Sequence, residues 1–199
     1  DVCSSDLDVI EVRQKKQLGL GHAVSCARAV VGNEPFAVMV GDDFITGDGA
    51  GLEQLVQTAE KYNMPVVGVM EVPADRINRY GMVKGDEIAD GVFRISEMVE
   101  KPAVGTTDAR LAIVGRYVLP PDLFNYLSNS EPGYGGELQL TDSLAALAKD
   151  RGMLAVRMKG TRFDAGDWVD YLCANIFFGL RDESLRAALR EKLQQLSLM

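Results

Sequence analysis

The side chains best equipped for chemistry in this chain fall in a few short segments. Asp42 and Asp43 follow an apolar run, Phe36 to Val40, and Asp164 stands in Phe163-Asp164-Ala165-Gly166, a few residues after a second run, Leu154 to Met158. The ends of strands are where open α/β sheets place their ligands. Aspartate also suits strand-end turns that hold nothing. Glu100-Lys101-Pro102 sets opposite charges on adjacent residues. Their side chains point to opposite faces for as long as the strand persists, and a solvated ion pair is the simpler reading. The stretch from Arg13 to Ala23 (RQKKQLGLGHA) is a glycine-marked loop opening onto a helix. Glycines let backbone N–H and C=O groups approach the edge of a flat ring, and the amide of Gln14 can donate and accept at once. That is the chemistry of reading a nucleobase, with Gln14 and the backbone at Gly19 as its candidates, although glycine-flanked helix starts are also common. Tyr80-Gly81 and Val114-Gly115-Arg116 offer glycines at which a backbone can approach a ligand, or form a turn or bulge. His22, the only histidine, suits packing or loop ordering better than a role as a base.

Elements able to position these residues can be read from the hydrophobic pattern. Apolar runs rich in Val, Ile and Met alternate with helical patterns, as in an α/β domain with a mixed, mostly parallel sheet flanked by helices. The pattern predicts a strand at 9–13, a helix at 21–31 and a strand at 36–40. A helix at 52–62 follows, with Leu52, Leu55, Val56 and Ala59 on one face, then a strand at 66–72. Extended pieces at 80–84, 92–100 and 111–119, separated by polar turns such as Lys84-Gly85-Asp86-Glu87, suggest local antiparallel pairing. Helices at 122–127 and 137–149, a strand at 154–158, and helices at 168–180 and 184–196 complete the chain. The last, within a C-terminal stretch 181–199, is amphipathic and charged, fit to cover the sheet or join subunits. Acidic residues early in the helix after Gly136 favour its positive end.

The 199 residues carry a net charge of −8, which argues against nucleic-acid or anionic-membrane surfaces. No apolar run is long enough to span a membrane, and no secretion signal is evident, so cytoplasm is the expected location. Cys3, Cys26 and Cys173 are odd in number and widely spaced, suggesting free thiols rather than a disulfide framework or zinc site.

Taken in order, the 13–23 loop, Val40-Gly41-Asp42-Asp43, Val99-Glu100-Lys101-Pro102, Leu111 to Leu119 (LAIVGRYVL) and Gly135 to Asp142 (GGELQLTD) resemble the bacterial UTP:glucose-1-phosphate uridylyltransferases. The resemblance runs from about Val9 to about Leu180. It implies the Rossmann-like nucleotide-diphospho-sugar transferase fold, and UTP and glucose 1-phosphate as substrates giving UDP-glucose and pyrophosphate. It assigns the base to Gln14 and Gly19, Mg²⁺ to Asp42 and Asp164, and glucose hydroxyls to Gly81, Glu100 and Gly115. Lys101 takes the sugar phosphate, so Lys101 and Asp42 carry the catalysis. Asp43 is left as a supporting or turn residue, and no contact follows for Glu137 to Asp142. A homo-oligomer is expected of the full-length form.

Members of that family begin with a strand and a G-x-G-T-R type turn that wraps the triphosphate. Neither is found here, so the chain is expected to lack the first strands of the fold and to be inactive alone. Residues 1–8 match neither the periodicity nor the resemblance and are expected to be a non-native leader, leaving 9–199 as the nucleotidyltransferase domain. Competing readings are a thymidylyltransferase of the same fold, an inverting glycosyltransferase that makes no pyrophosphate, and a non-catalytic fragment that binds a sugar phosphate or a partner.

Overall fold

A computed structural model describes residues 8–47 and 50–196. Its elements in chain order are α1 (Leu20–Cys26), α2 (Arg28–Val31), β1 (Phe36–Met39), β2 (Asp43–Thr46), α3 (Leu52–Tyr62), β3 (Val66–Glu71), β4 (Gly81–Ala89), β5 (Val92–Glu100) and β6 (Leu111–Leu119). They continue with α4 (Leu123–Asn129), α5 (Leu140–Arg151), β7 (Leu154–Arg157), β8 (Thr161–Asp164), α6 (Trp168–Gly179) and α7 (Arg186–Gln195). The chain forms two compact units. One is built from the residues up to Val38 together with Leu52–Met158, the other from Met39–Gly51 together with the residues from Lys159 onward.

The first unit is organised by a mixed six-stranded sheet in the order β1-β6-β3-β7-β5-β4. β3 runs parallel to β7 and antiparallel to β6, and β5 runs antiparallel to both β4 and β7. The start of β4 also pairs with the start of β6, so the β4–β5 hairpin folds back on the sheet. Val66, Val67 and Val69 of β3 are fully buried. Such runs are β-branched because both faces of a central strand are covered. On one side Leu55, Val66, Leu154 and Val156 form a buried cluster. Near the other end, Val72, Ile77, Met82, Ala109 and Ala112 form a second. The second cluster, through Met82 and Val99, holds the first residues of β4 and the last of β5, which carry the candidate site. Among the described residues no helix is long and apolar enough to cross a membrane.

Several expectations are corrected. Residues 9–13 form no strand, and Val9 is 92% exposed. A strand exists only by pairing, and this segment pairs with none. Lys84 to Glu87 lies inside β4, where the register with β5 shifts at Lys84/Gly85, and the reversal comes instead at Asp90-Gly91, with Gly91 at φ 67°. The polar residues there mark an exposed strand edge with a bulge. The helix expected from Glu137 starts at Leu140, because two glycines with positive φ, Gly135 and Gly136, precede it. The helix at 21–31 divides at Ala27 into α1 and α2. The leader expected at residues 1–8 lies outside the described residues except for Asp8, which is exposed.

The second unit pairs β2 with β8, antiparallel, in the register Asp43↔Asp164 to Thr46↔Thr161. Neither short strand was evident in the sequence, because four residues with mixed polarity carry too little pattern. α6 packs on them through Phe163, whose ring lies 4.9 Å from that of Phe177 and 6.1 Å from that of Phe178. Asp167 caps the helix, its carboxylate accepting from the N–H groups of Val169 and Asp170. Gly160 precedes β8 at φ +94°, and a side chain there would overlap the carbonyl oxygen of Thr46. Gly160→Ala is therefore expected to destabilise the protein by about 3 kcal/mol, combining left-handed strain with a backbone clash. Gly105→Ala, at φ +86° with open space around it, is expected to cost about 1 kcal/mol. Chemical denaturation of both variants checks the ordering.

Candidate functional site

In the first unit, a helix start and a preceding loop are held together by one side chain. The Gln14 amide nitrogen donates to the Gly19 carbonyl at 3.1 Å and lies 2.9 Å from His22 Nδ1. The Gly19 carbonyl also accepts from Ala23 N–H at 3.1 Å, so this oxygen is occupied from within the loop. The loop is anchored to the segment before α5, where Leu138 N–H donates to Leu18 O at 2.8 Å and Gly21 N–H donates to Leu138 O at 2.9 Å. A Cβ on Gly19 or on Gly21 would fall 2.7 Å from the Leu138 oxygen. Both glycines are thus required by this backbone approach, and Gly19 also by its φ of +101°.

Glu100 and Gly81 are register partners at one end of the β4–β5 hairpin. Thr141, on the first turn of α5, donates to Glu100 Oε2 at 2.6 Å. A Cβ on Gly81 would fall 2.7 Å from Thr141 Oγ1 and 3.0 Å from Glu100 Oε2, so Gly81 leaves room for the bond between them. Lys101 does not continue the strand. It adopts φ 43°, one of two described non-glycine residues with positive φ, while its N–H donates to Tyr80 O at 3.0 Å. The strand ends at Glu100, so the condition for opposite faces is not met, and Lys101 Nζ lies 3.7 Å from Glu100 Oε1 and 5.4 Å from the centre of the Tyr134 ring. The Glu100 side chain is 11% exposed and that of Lys101 36%, which leaves a recessed acceptor beside a reachable cation. Gly115 is in the buried middle of β6. There four residues of β6 advance while β3 advances two, between Val67↔Tyr117 and Val69↔Ile113. This is the bulge that its sequence allowed.

Thr141 and Tyr134 are the members that sequence reasoning missed. Their signal was present in GYGGELQLTD, but only the fold shows that this segment reaches both the Gln14–Gly19 loop, through Leu138, and the Glu100–Lys101 pair. Gln139, buried, fixes the segment by donating to Tyr134 O at 2.9 Å. Asp142, beside Gly133, has its carboxyl held above the usual carboxylate range by burial.

The second unit gathers the aspartates. Asp43 and Arg162 form a largely buried ion pair, and Arg162 Nη2 also lies 3.5 Å from Asp164 Oδ2. Asp42 O accepts from Ala165 N–H at 2.7 Å, and Asp164 Oδ1 accepts from Gly166 N–H at 3.0 Å. A Cβ on Gly166 would meet Asp164 Oδ1 at 3.1 Å and Asp42 Oδ2 at 3.4 Å. The carboxylates of Asp42 and Asp164 therefore converge beside a residue with no side chain. Among the described residues no group of three or more His, Cys, Asp and Glu side chains is arranged to hold a metal. Two carboxylates are nevertheless the donor set that Mg²⁺ uses when phosphate oxygens and waters complete its shell.

The model of the nucleotidyl transferase family matches residues 6–179. UTP–glucose-1-phosphate uridylyltransferase 1 of Staphylococcus saprophyticus is 40% identical over 195 residues, covering 98% of this chain and 68% of that protein. A UDP-glucose pyrophosphorylase structure complexed with UDP-glucose superposes with a TM-score of 0.83 at 38% identity, covering 86% of this chain and 66% of that one. The UTP-bound UGPase from Acinetobacter baumannii gives a TM-score of 0.85 at 34% identity, covering 96% of this chain and 66% of that one. The chain thus spans about two thirds of the length of these relatives.

Proposed function

The chain belongs to the nucleotidyl transferase family, among the UTP–glucose-1-phosphate uridylyltransferases, and on that premise we propose that the protein it represents transfers a uridylyl group from UTP to glucose 1-phosphate. A phosphate oxygen of glucose 1-phosphate attacks the α-phosphorus of UTP, the bond from that phosphorus to the bridging oxygen breaks, and pyrophosphate leaves with the electron pair. No general base is needed, because the nucleophile is already ionised at neutral pH. Catalysis is then positioning and charge neutralisation.

The observation that carries the reading is the join made by the GYGGELQLTD segment. It anchors the Gln14–Gly19 loop through Leu138 and orients Glu100 through Thr141, linking a base-reading loop to an acceptor for hydroxyls. Gln14 and the backbone at Gly19 read the pyrimidine. Glu100 accepts from glucose hydroxyls, Gly81 keeps the floor of that site open, and Lys101 holds the phosphate. Gly115, in the irregular stretch of β6, is kept as a candidate for the sugar hydroxyls on the family resemblance alone. Asp42 and Asp164 are the residues that would hold Mg²⁺, and a bound Mg²⁺ supplies positive charge to the phosphate oxygens.

Release of pyrophosphate by the full-length gene product, dependent on both UTP and glucose 1-phosphate, is the expected result. Turnover with dTTP but not UTP would move the protein to the thymidylyl branch. Pyrophosphate-free transfer from UDP-glucose would defeat the proposal. The Thr141–Glu100 bond makes a finer prediction. Thr141→Val, nearly isosteric, is expected to weaken glucose 1-phosphate affinity about tenfold, the loss of ~1.4 kcal/mol for a hydrogen bond to a charged group. Thr141→Ser is expected to retain most of it. Calorimetric titration of the two variants compares them.

A further inference from the structure

The orientation of the Gln14 amide is determined by its surroundings. A backbone carbonyl can only accept, so the Gln14 atom 3.1 Å from Gly19 O is the nitrogen. That nitrogen has one more proton, and His22 Nδ1 lies 2.9 Å away. To take it, Nδ1 must be unprotonated, which places the imidazole proton on Nε2. Both protons of the Gln14 amide are then committed within the loop. Its oxygen has no partner among the described residues and is the one group of the amide left for a ligand.

We propose that His22 is a specificity-determining positioning residue: its neutral Nδ1 locks the Gln14 amide with the oxygen toward the nucleobase, selecting bases that carry a ring N–H over those with a bare ring nitrogen. The proposal rests on the nucleotide reading above. Uracil and thymine carry a hydrogen on N3, whereas cytosine has a lone pair there, which an amide oxygen repels. Without His22 the Gly19 carbonyl alone holds the amide, so turning it over to present its nitrogen, a donor that suits cytosine N3, gives up one hydrogen bond instead of two. An unpaired polar group facing the wrong base is the strong source of discrimination. The Gly19 carbonyl cannot take this part, because it already accepts from Gln14 and Ala23, which leaves only the Gly19 N–H for the base.

The test compares equilibrium binding of UTP and CTP to the whole chain and to its His22→Leu, His22→Asn and Gln14→Leu variants. His22→Leu is expected to lower the UTP-over-CTP preference about tenfold or more. His22→Asn, whose side-chain oxygen can replace Nδ1 as acceptor, is expected to keep most of it. Loss of the preference in Gln14→Leu with full retention in His22→Leu overturns the part assigned to His22 and leaves Gln14 as the base reader. Retention in both variants overturns the base-loop reading itself. A second measurement stands apart from whether any variant folds. Long-range ¹H–¹⁵N correlation spectra of the unmodified chain at neutral pH are expected to show His22 protonated on Nε2. Protonation on Nδ1 alone overturns the proposal.

Discussion

Replacing Lys101 with alanine is expected to lower the turnover of uridylyl transfer by about 10²-fold or more, equivalent to about 2.7 kcal/mol of transition-state stabilisation. The reason lies in the charges that must meet. A phosphate monoester dianion approaches a triphosphate, and their repulsion rises steeply as the oxygen nears the phosphorus. A cation held at the approach lowers that barrier without reorganising. Lys101 is suited to that part because its backbone, rather than its ion pair, fixes its position. Its φ of 43°, the bond from its N–H to Tyr80 O and the proline that follows set where the side chain leaves the sheet. The side chain then lies within 3.7 Å of Glu100 and over the Tyr134 ring. The simpler reading, a solvated ion pair with Glu100, makes a different prediction. A pair with a lysine 36% exposed contributes at most about 1 kcal/mol to stability, and its loss has no reason to affect turnover. Steady-state kinetics with both substrates saturating, alongside thermal melting of the same variant, separates the readings. Near-normal turnover would remove Lys101 from the mechanism.

What the sequence made legible follows from how much periodic signal each element carries. The strand at 66–72 and the helix at 52–62 were readable because their apolar positions repeat over two or more turns or pleats, and they appear as β3 and α3 almost to the residue. β2 and β8 were not, because four-residue strands hold too few positions to repeat. The run Val9 to Arg13 shows the opposite error. The β-branched residues Val9, Ile10 and Val12 mark a segment able to form a strand, but pairing is a property of the neighbours, and the described residues provide none. The site divides along the same line. Glu100, Lys101 and Gly81 were identifiable as types at suitable places, yet their mutual arrangement depends on a left-handed turn at Lys101 and on Thr141, 41 residues after Glu100. A single positive φ at a lysine leaves no sequence pattern. Thr141 resembles any other polar residue early in a helix until α5 is docked against β5.

The second large effect is expected at the paired carboxylates, where Asp42→Asn and Asp164→Asn should each lower turnover by about 10² to 10³-fold and raise the Mg²⁺ concentration needed for half-maximal rate. The contrast that gives this prediction its force is with their neighbour. Asp42, Asp43 and Asp164 lie close in the second unit, and by charge alone any two of them could hold a cation. Asp43, however, is 8% exposed and paired with Arg162, so its charge is already neutralised inside the protein. Removing it leaves a buried guanidinium without its main partner, a loss of about 3 kcal/mol. Asp43→Asn is therefore expected to lower stability with little change in metal requirement. Asp42 and Asp164 reverse the pattern, because their oxygens converge beside Gly166, where the absence of a side chain leaves space. Asp42→Asn, which relieves repulsion between the two carboxylates, should leave stability unchanged or slightly raised, whereas Asp164→Asn also gives up the contact with Arg162 and should lower it, though less than Asp43→Asn. Titration with Mg²⁺, direct binding of Mn²⁺ measured by electron paramagnetic resonance, and denaturation of all three variants distinguish the roles. If Asp43→Asn proved the variant that lost metal binding while Asp42→Asn kept it, the ion pair with Arg162 would have to open in the working enzyme, and the metal would belong to Asp43 and Asp164, the register partners across β2 and β8.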